Sequence, residues 1–316
     1  MMTMTEDARA AVVLASRLGR RDRPALSPAL WHRLVQALQD AGLRPGDLLR
    51  SDVDAIGKAA IPEELAERIG VLIEDTVAVV VEIDTLAGKG IQPVTIEDAA
   101  YPDRYGSKLG TQAPPVLFVV GDQTLLERDG VGIVGSRNVD EEGAGVAGRL
   151  AEEAARAGRT VISGGARGVD QLAMAAAFEA GGSVVGVLAD SLAGRIRRPD
   201  TLRALDSGQI CLITHQHPGA GFGAGAAIGR NKLIYALAKL TVVVATDRGR
   251  GGTWEGASEA VRSGYGRVAV WRGGGEGPGN AALEDLGAEP IRAVEELCGL
   301  VDADTPEPPA QMSMLE

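Results

Sequence analysis

Two glycine-rich turns hold the residues of this chain best suited to chemistry: Gly135-Ser136-Arg137, and the run from Ser163 through Gly164, Gly165, Ala166, Arg167 and Gly168 to Asp170. Each follows an apolar segment and each carries one arginine. At a strand-to-helix turn the first helical N–H groups lack partners and the helix dipole favours negative charge, so glycines there let a phosphate approach the backbone. A guanidinium adds a forked donor pair that matches phosphate oxygens, which a lysine ammonium does less well. A single turn of this kind is ordinary; two in register predict a phosphate site.

The elements that must position these turns alternate from Gly130 onward. The pattern predicts a VGIVG strand, a helix over 143–157, a TVIS strand, a helix over 169–180, a VVGVL strand and a charged connection. An ICLIT strand, a helix over 230–239, a TVVVAT strand, a helix over 253–263 and an RVAVW strand follow. Near-continuous apolar strands between amphipathic helices imply a parallel sheet covered on both faces. That is a Rossmann-like, doubly wound, mostly parallel α/β fold, whose ligands bind at the carboxyl ends of the strands. Upstream, residues 5–87 read as short helices: 8–18, 28–41 with Ser27 as cap, a segment near Leu48, 62–69 and 73–86. Gly88-Lys89-Gly90 then forms a hinge, and IQPVTI and PPVLFVVG flank a loop that adds a strand to the main domain. The expected organisation is a helical domain over 1–88, a Rossmann-like domain over 89–300 and a flexible acidic tail over 301–316.

Composition narrows the function. The 316 residues are 45% hydrophobic, enough for a large core, and no span reaches eighteen uninterrupted apolar residues. The N-terminus carries acids where a signal peptide needs a basic start, so a soluble cytoplasmic protein without membrane contact is expected. Cys211 and Cys298 have no paired spacing for zinc or disulfides. The net charge of −11 argues against a broad basic footprint for nucleic acid, yet Arg137, Arg167, Arg230 and Lys232 fall at presumed strand ends and can form a local basic pocket.

Several chemistries are disfavoured. Gly130, Gly132 and Gly135 match G-x-G-x-x-G, but the first two lie in the strand rather than in the turn after it, and no P-loop run is present. His215 and His217 have no third ligand beside them, so no metal is expected, and no serine stands in a nucleophile elbow. Aromatics are 3% of residues, too few for extended base stacking, so phosphate contacts must dominate any nucleic-acid affinity.

The order of motifs resembles the DNA-processing protein A (DprA/Smf) family, within a wider group that includes the LOG-type nucleotide phosphoribohydrolases. The resemblance runs from about Gly90 to Ile291 and rests on Tyr101-Pro102, Pro114-Pro115 with its strand ending at Gly121, Ile133–Arg137, Ser163–Asp170 and Arg230-Asn231-Lys232. It implies a non-catalytic protein without a cofactor that binds single-stranded DNA, dimerises through the Rossmann-like domain and helps load a RecA-type recombinase during natural transformation. Carried over by position, Arg137, Arg167, Arg230 and Lys232 are the implied phosphate contacts. Gly135, Ser136, Gly164, Gly165 and Asn231, with Gly252 and Thr253 of the later glycine loop, shape the pocket, and Asp170 caps the following helix or orients Arg167. The helical domain is, on the same resemblance, a helix-hairpin or SAM-like unit. Met174 stands where members usually carry a histidine, and the frequent winged helix is not expected after Leu300.

The loop Gly251-Gly252-Thr253-Trp254-Glu255-Gly256 leaves an alternative open, because it is similar to the GGxGTxxE element of the LOG-like enzymes. There an arginine holds the phosphate of a nucleoside monophosphate while a carboxylate, here Glu255, assists hydrolysis of the N-glycosidic bond. A nucleotide sensor using the same pocket is the non-catalytic form of this reading. Otherwise Glu255 stabilises a helix N-terminus and Trp254 packs.

Overall fold

The structure, a computed structural model, describes residues 4–19, 22–50 and 54–303. Of the expected acidic tail, residues 304–316 lie outside the described residues. The chain opens with five helices, α1 (Glu6–Ala15), α2 (Pro28–Asp40), α3 (Ala55–Lys58), α4 (Glu63–Ile73) and α5 (Thr76–Ala87). The Ser27 hydroxyl accepts the Leu30 N–H at 3.3 Å to start α2, and Trp31, Leu34 and Leu38 recur on its buried face at helical spacing. Strand β1 (Gln92–Thr95), helix α6 (Asp103–Leu109) and strand β2 (Val116–Gly121) follow.

The alternating part comprises β3 (Gly130–Val134), α7 (Glu141–Arg156), β4 (Thr160–Ser163), α8 (Val169–Glu179), β5 (Val184–Val187), α9 (Leu192–Arg195), α10 (Pro199–Asp206) and β6 (Ile210–Thr214). It continues with α11 (Ala224–Leu237), β7 (Leu240–Val243), α12 (Gly252–Ser263), β8 (Arg267–Trp271), α13 (Asn280–Asp285), β9 (Glu289–Ile291) and α14 (Glu296–Asp302). The nine strands among the described residues form one sheet in the order β1-β2-β6-β5-β4-β3-β7-β8-β9. β6 through β9 are parallel, while β2 pairs antiparallel with both β6 and β1. The fold is thus the expected mostly parallel, Rossmann-like α/β sheet with a helical N-terminal region.

Two apolar clusters cover the two faces. One joins α7 and α8 to the sheet and runs on without a break into Val12, Trp31, Leu34 and Ile69 of the N-terminal helices. The other packs α6, α11 and α12 on the opposite face. Each fully buried Val, Leu or Ile contributes about 1.5–3 kcal/mol, which makes the sheet edges a rigid frame for the loops. Gly130 and Gly132 serve this packing rather than a ligand: a Cβ on Gly132 would lie 2.4 Å from Thr241 Oγ1, and one on Gly130 2.4 Å from Ile162 Cδ1.

Some expected boundaries shift. Helix α11 starts at Ala224, not at Arg230, because Ala226, Ala227 and Ile228 extend it backward through Gly229. The charged connection after β5 folds into α9 and α10, and α6, α13, β9 and α14 form where no periodic signal stood out. Among the described residues no helix is long and apolar enough to cross a membrane.

Candidate phosphate-binding site

In this strand order the chain runs outward from β3 through β4, β5 and β6 and then crosses back to place β7 on the other side of β3, and the carboxyl ends there enclose a crevice. A cavity of about 490 Å³ occupies it, lined by Gly135, Ser136, Arg137 and Asn138 after β3, by Thr246, Asp247 and the Arg250–Thr253 turn after β7, and by Phe222 and Arg230. Asn280 holds the β7 loop from beneath: its amide accepts the Thr246 N–H at 3.0 Å and donates to the Val244 and Trp271 carbonyls at 2.8 Å. The Ser163 hydroxyl donates to the Ile133 carbonyl at 2.6 Å and so fixes β4 beside β3.

The local backbone corrects part of the phosphate argument. The helix after Gly135-Ser136-Arg137 does not begin until Glu141, and the Asp140 carboxylate already accepts the Gly143 N–H at 2.8 Å. The Ser136 hydroxyl accepts the Asn138 N–H at 3.1 Å. That helix start is therefore satisfied by its own acids. The N–H groups of Val169 and Gln171, at the start of α8, donate to the Ser136 and Ala166 carbonyls. The helix start that faces the cavity with backbone donors to spare is that of α12. Gly251 is its cap without a side-chain acceptor, and the N–H groups of Gly252, Thr253 and Trp254 have no acceptor among the described residues. The Thr253 hydroxyl donates to the Gly135 carbonyl at 3.0 Å, tying α12 to the β3 turn.

The predicted triplet Arg230-Asn231-Lys232 lies inside α11, where successive side chains diverge by about 100°. Arg230 points inward and is 5% exposed; its Nη1 donates to the Val187 carbonyl at 3.0 Å and stands 3.8 Å from Asp170 Oδ2. Asn231 Nδ2 donates to the Gly252 carbonyl at 2.8 Å, holding the start of α12. Lys232 is outside the cavity, with its ammonium 2.7 Å from Glu259 and 3.0 Å from the Gln112 amide oxygen.

Asp170 pairs with Arg230 rather than orienting Arg167, and it lies within the first turn of α8 instead of capping it. Burial pushes its carboxyl above the ordinary range, while Arg230 and the N–H groups of Ala166, Gly135 and Gly164 draw it back. Gly164 is required by this packing: a Cβ there would fall 1.4 Å from Arg230 Nη1. Arg167 is exposed and donates to the Asn138 side chain at 2.6 Å. Glu255 lines the cavity from the first turn of α12 with its side chain exposed, and Trp254 packs against the core.

Three contributors were not singled out in the sequence. Phe222, 57% exposed, lies under the Arg137 guanidinium at 5.1 Å. Arg195 and Arg198, from the connection after β5, join Arg137, Arg167 and Arg230 around an adjoining cavity of about 360 Å³, in which Asp190 is the one acid. The two cavities share Arg137, Arg230, Ala166 and Phe222, so the edge presents a continuous row of guanidiniums from the β7 turn to the β5 turn. Such a row suits an extended polyanion read through its phosphates. No group of three or more metal-ligating side chains occurs among the described residues.

Residues 92–301 match the family model described as DNA recombination-mediator protein A. DNA processing protein DprA of Bacillus subtilis is 33% identical over 131 residues, which are 41% of this chain and 43% of that relative, so the match spans less than half the relative's length. Among solved structures, DNA processing protein A of Streptococcus pneumoniae superposes with a TM-score of 0.65 at 20% identity, covering 87% of this chain and 98% of that one. DNA processing protein A of Helicobacter pylori, whose single-stranded DNA binding mode has been described structurally, gives a TM-score of 0.55 at 23% identity over 66% of this chain and 96% of that one. At these identities the two structures speak for the fold.

Proposed function

The chain belongs to the DNA recombination-mediator protein A family, and from that premise we propose that it binds single-stranded DNA along the arginine row, through backbone phosphates and without cutting the strand. In this reading it acts in the cytoplasm as a homodimer that delivers the strand to a RecA-type recombinase during DNA uptake. The observation that carries the reading is the set of guanidiniums without carboxylate partners. Arg137 and Arg198 have no ion pair among the described residues, and Arg167 is held only by Asn138. Uncommitted cations grouped on one edge of a chain of net charge −11 are placed for an anionic ligand.

The test is fluorescence anisotropy of a labelled oligothymidine over a salt series. Arg137→Ala is expected to weaken binding and to flatten the dependence of log affinity on log salt by about 0.7, the value for one phosphate contact on a single strand. Lys232→Ala is expected to leave both nearly unchanged, because its ammonium is engaged by Glu259. A folded protein that ignores the oligonucleotide at low salt overturns the reading and transfers the cavity to a nucleoside monophosphate with Glu255 as the acting carboxylate.

A further inference from the structure

Beyond the β5 end of the arginine row, a cavity of about 720 Å³ opens between α8 and α10. Its floor is formed by Val184, Ile210 and Leu212 of the sheet, and its walls are Leu188 after β5 with Met174 and Phe178 from α8. Its mouth carries Arg195, Arg198, Gly165 and Gln171, all shared with the arginine-lined cavity above, so the two spaces communicate. The volume lies within the roughly 300–1,000 Å³ of sites that enclose small ligands.

The cations at the mouth are not consumed by the fold. Arg198 is exposed, and its guanidinium has no hydrogen-bond or ion-pair partner among the described residues. Arg195 is 16% exposed; its Nη2 reaches the Gly165 carbonyl and Asp190 at 3.3 Å each, while its Nε is buried without an acceptor. A buried guanidinium N–H without a partner is costly unless a ligand oxygen completes it. Behind these donors the lining is mostly apolar, with the exposed Glu179 and Arg203 beside it, and Met174 supplies a polarisable thioether that adapts to flat rings. Asp200 and Thr201 sit at the rim, within reach of a polar ring edge.

A flat, mostly apolar ring joined to an anion matches that arrangement. We propose that this cavity takes a nucleobase, with the adjoining phosphate held at the mouth by Arg195 and Arg198. The inference rests on the reading that the edge above carries a strand's phosphates; a free nucleoside monophosphate has the same chemistry and is the second source. One inserted base distinguishes the site from the phosphate row, which is indifferent to bases.

The experiment compares oligothymidine with an abasic strand of equal length and charge, and dTMP alone, on the full chain. The variants are Met174→Trp, which fills the chamber from α8, and Thr201→Trp, which blocks it from the rim without disturbing the core. Circular dichroism verifies folding. The expected result is that oligothymidine binds about tenfold more tightly than the abasic strand, and that both tryptophan variants remove the difference while leaving the abasic strand's affinity unchanged. Equal affinity for the two strands, unaffected by either variant, overturns the proposal but leaves the phosphate reading standing. Failure of both strands with retained dTMP binding that the variants abolish assigns the site to the free nucleotide and sinks the strand reading instead. No binding of any probe overturns both.

Discussion

Replacing Arg230 by methionine tests the assembly that shapes the site. The methionine keeps most of the aliphatic volume but removes the guanidinium that lies 3.8 Å from Asp170 and donates to the Val187 carbonyl. Asp170, 5% exposed, is then a buried carboxylate supported by the backbone N–H groups of Ala166, Gly135 and Gly164, the last at 3.2 Å. Breaking a buried pair from one side costs about 3–5 kcal/mol, since the remaining charge loses its compensation. At about 2 °C per kcal/mol for a chain of this size, Tm falls by about 6–10 °C at pH 7. The loss depends on pH in a definite sense. A carboxyl raised above its ordinary 3.8 in the folded state favours folding when protonated, so stability is fully present below 3.8 and is lost as pH rises through the higher folded value. Arg230→Met therefore loses least near pH 4 and most at neutral pH, and adding Asp170→Asn recovers most of the loss at pH 7. Thermal unfolding followed by circular dichroism at the two pH values decides the matter. A cost under about 1 kcal/mol at pH 7, or a double variant no more stable than the single one, refutes the argument that these two groups compensate each other.

Other consequences follow from the same geometry. Phe222→Ala removes an exposed ring that Arg137 covers at 5.1 Å, and by freeing that guanidinium it is expected to lower the affinity for oligothymidine and for an abasic strand alike, about two- to fivefold by anisotropy, without moving Tm. His215 is held down to about 4 by burial, with Arg230 and Arg17 adding to the effect, so its protonation opposes folding. Stability should fall as pH drops from 6.5 toward about 4, and His215→Gln should blunt that fall in urea titrations at pH 7 and pH 5.

The fold was legible because its strands are apolar runs with short glycine turns between them, as in VGIVG and TVIS, and because Ser27 and the Trp31–Leu34–Leu38 spacing mark a helix without ambiguity. The site was less so. Arg137 and Arg167 were readable from their turns, yet the direction of a side chain within a helix depends on where the helix starts, and α11 starts six residues before Arg230. That shift places Arg230 inside the protein and turns Lys232 toward α12. Phe222 and Arg198 lie in segments without periodicity, and only the strand order, which places the β5 turn beside the β4 turn, brings Arg198 to the row. Its available signal was the arginine cluster at 195–198 in the charged connection after a strand.

The proposed hold of this acidic chain on a polyanion is tested by its salt dependence. Net charge sets long-range repulsion, whereas the affinity term comes from counterions released where phosphates meet cations. Five arginines line the cavity of about 360 Å³, but Arg230 is buried against Asp170, which leaves Arg137, Arg167, Arg195 and Arg198. Four contacts on a single strand give a log–log salt slope of about −3, at about 0.7 each. A strand that ran on across a second copy of the chain would engage both edges and steepen the slope to about −6. Measuring the slope at protein concentrations on either side of any dimer transition separates the two cases. A slope near zero at every concentration would mean that the guanidiniums are not the contact surface, whatever the affinity.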